Sequence, residues 1–409
     1  MHRKNLRIAW REGNQIDLLK NGAEFFSTLC QAIDASQTSV HLETYIFSVD
    51  ETGLRVLDSL QRACERGVKV RVVFDGFGSA RGAVEVSRRL DSMMAQHRIY
   101  RPWPRGLLAL LPGPRHLRRL HRKTCVVDDR FAFVGGLNIL DDLVDVPDDG
   151  GGPSPRFDFA VLLQGPIVLD VIKAQSALWL RMAWRRRNDW ASFYRRLAGW
   201  SKRYLHAKEI NALDKGQGRR AALMLRDNVR FRRTIENGYL TQIDQAQTEI
   251  LLANAYFFPG RRVRKALEHA AGRGVRVRLL LQGRSEYPLQ YRACRSMYCN
   301  LLDDGIELYE YMASYLHAKV AVIDTCAIVG SANLDPFSLL LAREANVFVQ
   351  DAQFSADLKS TLEAEMQAHA RRVTEKDIRG RSIWGRLADA VSYRILRVGV
   401  VLTGKSSEY

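Results

Sequence analysis

The pattern His-x-Lys-x4-Asp stands twice in this chain, at His121, Lys123 and Asp128 and again at His317, Lys319 and Asp324. Each copy is trailed by a small-residue run, Gly135-Gly136-Leu137-Asn138 after the first and Gly330-Ser331-Ala332-Asn333 after the second. Upstream of each copy lies a second likeness. Ser39 to Phe47 alternates as a strand, Leu54 to Arg66 has the apolar spacing of an amphipathic helix, and Gly67-Val68-Lys69-Val70-Arg71 opens another strand. The same succession returns as Glu249 to Phe258, Val263 to Arg273 and Gly274-Val275-Arg276-Val277-Arg278. Two copies of one plan in one chain require a duplicated fold.

Strands that alternate with helices predict an α/β protein built of two pseudo-symmetric domains, each with a mixed, mostly parallel sheet flanked by helices. Gly67 and Gly274 fall where a helix should end in a left-handed cap. The 409 residues suffice for two cores. The expected division is an N-terminal domain over 1–179, a basic aromatic linker over 180–215, a C-terminal domain over 216–375 and an amphipathic basic tail over 376–409. One motif in each half points to a single active site at the seam.

On a strand, side chains repeat every second residue, so His121 and Lys123 share a face, as do His317 and Lys319. An imidazole and an ammonium aimed at one place suit phosphate chemistry: the lysine neutralises phosphoryl oxygens and the histidine supplies a nucleophile or a proton. Asp128 and Asp324 have the opposite parity and begin a turn, so they are expected to fix structure, locking lysine or backbone groups. A catalytic imidazole needs a partner that sets its tautomer. Asp158, in Phe157-Asp158-Phe159, and Glu344, in Arg343-Glu344-Ala345, occupy equivalent places after the two motifs and are the candidates. Gly135, Gly136, Gly330 and Ser331 would let the backbone approach an anion, and Asn138 and Asn333 would donate to its oxygens.

A formal net charge of +17 calls for a polyanionic partner, either nucleic acid or an anionic membrane surface. The six scattered cysteines show no metal-finger spacing and read as free thiols. The N-terminus lacks the apolar run of a secretory signal, and no segment has the length of apolar sequence needed to cross a bilayer. Arg101 to Pro112 sets Leu and Trp among Arg, and Leu180 to Leu205 interleaves Trp, Tyr and Arg, as an interfacial element would or as a solvated linker would. Ile383, Leu387, Val391, Ile395, Val398 and Leu402 recur at helical spacing, which fits a core-packing helix or one lying on a membrane. His206-Ala207-Lys208 is a third His-x-Lys, but with Leu213 in place of the Asp and no glycine run it receives no catalytic role.

The paired motifs with their Gly-[Gly/Ser]-x-Asn trailers resemble the phospholipase D superfamily, over both halves of the chain. Leu42-Glu43-Thr44, the run Asn254 to Gly260, and Gly330 to Pro336 with Ser338 are similar to bacterial cardiolipin synthases, the B type most closely. The second copy departs in a turn one residue shorter and in Cys326. The resemblance implies a two-step phosphodiester transfer without cofactor or metal, with His121 as nucleophile and His317 as acid and base. It implies phosphatidylglycerol or phosphatidylethanolamine as substrate, an anionic phospholipid membrane as partner, and a peripheral place on the cytoplasmic face of the bacterial inner membrane. A superfamily nuclease would use the same chemistry and suit the charge, but the Trp, Leu and Arg stretches argue for lipid over nucleic acid. A non-catalytic lipid-binding protein would not need both motifs complete.

Overall fold

The computed structural model describes residues 8–102, 118–148, 150, 152–184, 203–211, 218–227 and 231–402. Most of the Arg101–Pro112 loop and of the 180–215 linker, and the last residues of the tail, lie outside these. The N-terminal half runs β1 (Arg11–Lys20), α1 (Asn21–Asp34), β2 (Ser39–Thr44), α2 (Glu51–Glu65), β3 (Lys69–Asp75), α3 (Ala83–Ser92), β4 (Gln96–Tyr100), β5 (Lys123–Val127), β6 (Phe131–Gly135), β7 (Phe159–Gln164) and α4 (Val168–Trp184). A helix α5 follows over 203–210. The C-terminal half repeats the plan as β8 (Arg219–Arg226), α6 (Thr234–Gln245), β9 (Glu249–Asn254), α7 (Arg261–Gly272), β10 (Arg276–Gln282), α8 (Pro288–Arg295), α9 (Tyr298–Asp303), β11 (Glu307–Tyr311), β12 (Lys319–Ile323), β13 (Cys326–Gly330), α10 (Pro336–Leu340) and β14 (Glu344–Gln350). The chain then adds α11 (Ala352–His369), β15 (Ala370–Val373), α12 (Glu375–Arg379) and α13 (Ile383–Leu402).

The strands form one sheet in the order β15-β11-β10-β9-β12-β13-β14-β8-β1-β7-β6-β5-β2-β3-β4. Apart from β15 the order is palindromic about the β8–β1 pair, the signature of two copies related by a pseudo-twofold. The α/β class and the duplication agree with the sequence reading, but the sheet is less parallel than expected. Among the described strands, parallel ladders are confined to β2-β3-β4 and β9-β10-β11, and the strands between them pair antiparallel. The cause is loop length: β5 reaches β6 through Asp128-Asp129-Arg130 and β12 reaches β13 through Asp324-Thr325, connections too short for a parallel crossover. Nor are there two separate sheets, since β1 and β8 join them antiparallel. Helix α4 also runs through the boundary expected at 179, because Val171, Ile172, Leu178 and Trp179 are buried along it.

Local chemistry accounts for the elements. Helix α2 buries Val56, Leu57, Leu60 and Ala63, and α7 buries Val263, Ala266, Leu267 and Ala270, each a single apolar face laid on the sheet. Both helices stop at a glycine with positive φ, Gly67 at 82° and Gly274 at 88°, a conformation that an added Cβ would strain. One apolar cluster crosses the seam, packing Val126, Phe157, Phe159 and Val161 with Leu251, Val320, Val329 and Val347, so the two halves share a core.

Candidate active site

The site is built where the halves exchange main-chain hydrogen bonds. The His121 amide donates to the Arg343 carbonyl at 3.0 Å, and the His317 amide donates to the Phe157 carbonyl at 2.9 Å. Isolated bridges Leu120–Arg343 and Phe157–Leu316 hold the same registers. Each motif is thus stitched to the strand entry of the other half. Behind each histidine a buried side chain at the end of a repeated strand fixes the approach. Asp75 accepts from the Leu120 amide at 2.8 Å and Gln282 accepts from the Leu316 amide. The repeat aligns Asp75 with Gln282, so one architectural task is done by a carboxylate and by an amide.

Those registers cross the carboxylates. Nδ1 of His121 lies 2.9 Å from the Glu344 carboxylate of the C-terminal half, and Nδ1 of His317 lies 2.6 Å from Asp158 of the N-terminal half. A carboxylate only accepts, so each Nδ1 carries the proton and each Nε2 keeps its lone pair. Glu344 is held in turn by the Ser331 hydroxyl, which donates to it at 2.6 Å. Asp158 is accommodated by Gly136, where a Cβ would stand 2.3 Å from its Oδ1. The Lys123 ammonium donates to the His121 carbonyl at 2.7 Å and lies over the Tyr45 ring, whose centroid is 4.9 Å from that of His121. Lys319 donates to the His317 carbonyl and sits 3.7 Å from Asp158.

Both imidazoles line one cleft of about 350 Å³, within the usual range for a small-molecule site. Tyr45, Arg119, Asn138, Arg156, Tyr256 and Asn333 are among its walls. Burial pushes the His121 imidazole below its ordinary value against the upward pull of Glu344. Burial and the Lys319 ammonium push His317 down to about 3. Burial opposes ionisation of Asp158, but the Lys319 ammonium and His317 outweigh it and hold that carboxyl low. The same desolvation brings Lys123 down to about 7 and lowers Lys319. The free site therefore presents two neutral imidazoles beside lysines whose charge burial makes costly, so an arriving anion favours protonating the lysines and one imidazole.

Other residues singled out in the sequence stand elsewhere. Asp128 and Asp324 are at the far ends of their strands, away from the cleft. Asp128 accepts from the Gln37, Thr38 and Ser39 amides at 2.8, 2.8 and 2.9 Å, and Asp324 accepts from the Gln247, Thr248 and Glu249 amides at 2.8, 3.0 and 3.0 Å. They lock backbone, and among the described residues neither pairs with a lysine. Gly135 and Gly330 are not among the residues that line the cleft. A Cβ on Gly135 would meet Ala160 at 2.4 Å and one on Gly330 would meet Asn346 at 2.4 Å, so both allow close strand packing. Gly136 and Ser331 serve the carboxylates behind the histidines. Asn138 and Asn333 reach the cleft, though the Asn138 carbonyl is engaged by the Ile46 amide at 3.2 Å. Cys326 is the first residue of β13, outside the turn. In the third His-x-Lys, His206 and Lys208 are exposed on α5.

Sequence reasoning passed over Asp75, Gln282, Tyr45, Arg119 and Arg156. Asp75 and Gln282 could have been found by aligning the repeats, since both close a Gly-Val-led strand. The arginines carry no such signal.

A family model described as cardiolipin synthase, phospholipase D-like domain, matches residues 29–144 and 239–366, together more than half of the chain. Cardiolipin synthase B of Salmonella typhimurium is 37% identical over 400 residues, covering 98% of this chain and 92% of its own length. Cardiolipin synthase B of Escherichia coli K12 is 36% identical over 402 residues with the same coverage. Among solved structures, phosphatidylserine synthase from Haemophilus influenzae superposes with a TM-score of 0.67 at 13% identity over 98% of this chain and 97% of that one, a likeness of fold.

Proposed function

This chain belongs to the cardiolipin synthase family of phospholipase D-like proteins, and from that premise we propose that it is a phosphatidyltransferase that joins two phospholipids through a phosphohistidine. The observation that carries the reading is the crossed pair of imidazole–carboxylate contacts, His121 with Glu344 and His317 with Asp158, at a single cleft. Each half alone would hold a histidine without its partner.

The donor is phosphatidylglycerol or phosphatidylethanolamine, its phosphodiester drawn into the cleft by the buried lysines and wall arginines. His121 Nε2 attacks phosphorus, the P–O bond to the head-group alcohol breaks, and protonated His317 gives its Nε2 proton to that departing oxygen. Phosphatidylglycerol then enters as acceptor. Its head-group hydroxyl gives a proton to His317 and forms the new P–O bond as P–N breaks, returning His121 and releasing cardiolipin. Glu344 and Asp158 stabilise whichever imidazole is cationic, and Asn138 and Asn333 donate to phosphoryl oxygens. The protein works at the surface of an anionic phospholipid membrane, on the cytoplasmic face of a bacterial inner membrane. Among the described residues no helix is long and apolar enough to cross one.

The test is incubation with phosphatidylglycerol vesicles and mass analysis of the products. Cardiolipin and glycerol in equal amounts are expected, with no cleavage of single-stranded DNA. DNA cleavage without lipid product would move the chain to the nucleases.

A further inference from the structure

Helix α13 is mounted with its apolar side outward. At 3.6 residues per turn, Ile383, Trp384, Leu387, Val391, Ile395 and Val398 fall in an arc of roughly 120°. They are 73, 80, 51, 46, 52 and 56% exposed. The opposite side, with Asp389, Ser392 and Leu396, is buried, and α13 packs against α8. Asp389 is neutralised inside by Arg381. A helix that only filled a core would show the reverse distribution.

Two further observations say what covers this ridge. The first is charge: exposed Arg386 borders the apolar arc on its Ile383 side, exposed Arg394 stands just inside that same side, and Arg397 is stacked over Tyr393 beside them. Arginines at and just inside one edge of an apolar stripe lay their stems along it and carry their guanidinium groups to the phosphates beside the acyl chains. The second is continuity with the cleft. An apolar pocket lined by Phe257, Phe258 and Leu396 of α13 shares Tyr256, Tyr287 and Gln290 with the cleft that holds the histidines. The Tyr393 ring packs on Phe258 at 5.1 Å, and the Phe258 amide donates to Leu334, next to Asn333. Exposed Tyr287 and Leu289, on and beside α8, extend the apolar surface from the helix toward the cleft.

We propose that the outward ridge of α13 is the membrane-docking surface, seating an anionic phospholipid bilayer so that the cleft opens at head-group depth. The inference rests on the phosphatidyltransferase reading for its substrate. The ridge lies in the interface plane without crossing it, and its arginines stand at the phosphate level.

The test compares wild type with the double variant Leu387→Glu/Val391→Glu in the full chain. Measurements are flotation with mixed phosphatidylethanolamine–phosphatidylglycerol vesicles, and transfer on those vesicles and on short-chain phosphatidylglycerol dissolved as monomers. The expected result is a loss of roughly tenfold or more in vesicle-bound protein and in vesicle transfer, with the monomer rate and unfolding midpoint unchanged. Leu387→Phe/Val391→Phe, which keeps the apolar area, should bind as wild type. Unchanged flotation of the Glu variant overturns the proposal. So does a Glu variant that still floats but forms a smaller assembly by light scattering, which would assign the ridge to a second copy. If wild type floats, the Glu variant does not, and neither makes cardiolipin from either lipid form, the transfer reading falls and the docking surface stands.

Discussion

Replacing Glu344 by Gln tests whether the carboxylates truly serve the histidine of the opposite half. In the native site the Ser331 hydroxyl donates to Glu344 Oε2 at 2.6 Å, and His121 Nδ1–H donates to the same oxygen at 3.1 Å, with Oε1 lying 2.9 Å from Nδ1. In Glu344→Gln the amide oxygen is pinned by Ser331 at the Oε2 place, so the NH2 group takes the Oε1 place, 2.9 Å from His121 Nδ1 and N–H against N–H. It can only donate, so Nδ1 becomes the acceptor and the proton moves to Nε2, the atom that must act on phosphorus. Losing a buried charge-assisted bond costs about 1.5–3 kcal/mol, and the wrong tautomer brings the barrier increase to about 3–5 kcal/mol, a rate loss of roughly 10²–10⁴. The assay uses two donors. Phosphatidylglycerol needs a proton on its leaving alcohol, whereas a phosphatidyl ester of nitrophenol does not. Glu344→Gln should match His121→Ala, losing both the cardiolipin product and the nitrophenolate burst. Asp158→Asn should match His317→Ala, losing cardiolipin while the burst survives. If Glu344→Gln instead matched His317→Ala, or stayed within about fivefold of wild type, the crossed pairing would be wrong.

Gly136→Ala places a Cβ 2.3 Å from the Asp158 carboxylate, so it should displace that group from His317 and lower transfer by about a hundredfold, read as kcat on vesicles. Asp128→Ala removes the acceptor for three amides at the far end of β5 and should lower stability by about 2–3 kcal/mol with kcat within a few-fold, measured by urea unfolding. Since Asp128 is held below its ordinary value, mainly by those amides working against its desolvation, its contribution is present above about pH 4 and fades as pH falls through the lowered value. Lys123→Met should abolish transfer yet raise the unfolding midpoint at neutral pH, because burial holds the Lys123 ammonium down to about 7. Between about pH 7 and 10.5 the unfolded wild type binds more protons, so wild-type stability should climb by up to a few kcal/mol and close the gap to the variant.

Much of this was legible in the sequence, and for identifiable reasons. The repeat shows because duplicated backbone geometry demands duplicated residues: Gly67 and Gly274 for left-handed caps, Asp128 and Asp324 for clamping amides. The parity argument that set each Asp apart from its His needed only strand geometry, which is local, and both carboxylates hold amides beyond the strand ends. What depended on the seam was hidden. Asp158 and Glu344 stood out as carboxylates in equivalent places, but their exchange between halves follows from the Leu120–Arg343 and Phe157–Leu316 bridges, which no local pattern encodes. The sheet was expected to be mostly parallel because strand-helix-strand units dominate the pattern, while the hairpins at each motif are too short to stand out in it. Periodicity located the apolar stripe of α13 but left open whether it faced core or solvent, since both outcomes share one spacing.

The central claim is that His121 and His317, one from each half, act on one phosphorus. It is tested most directly by rapid quench of His317→Ala with the nitrophenyl donor, followed by mass mapping of the adduct. One phosphatidyl group per chain on His121 is expected, stalled before cardiolipin forms, with none in His121→Ala. Adducts on both histidines of one wild-type chain, or cardiolipin synthesis persisting at the wild-type rate in either single variant, would contradict a shared site.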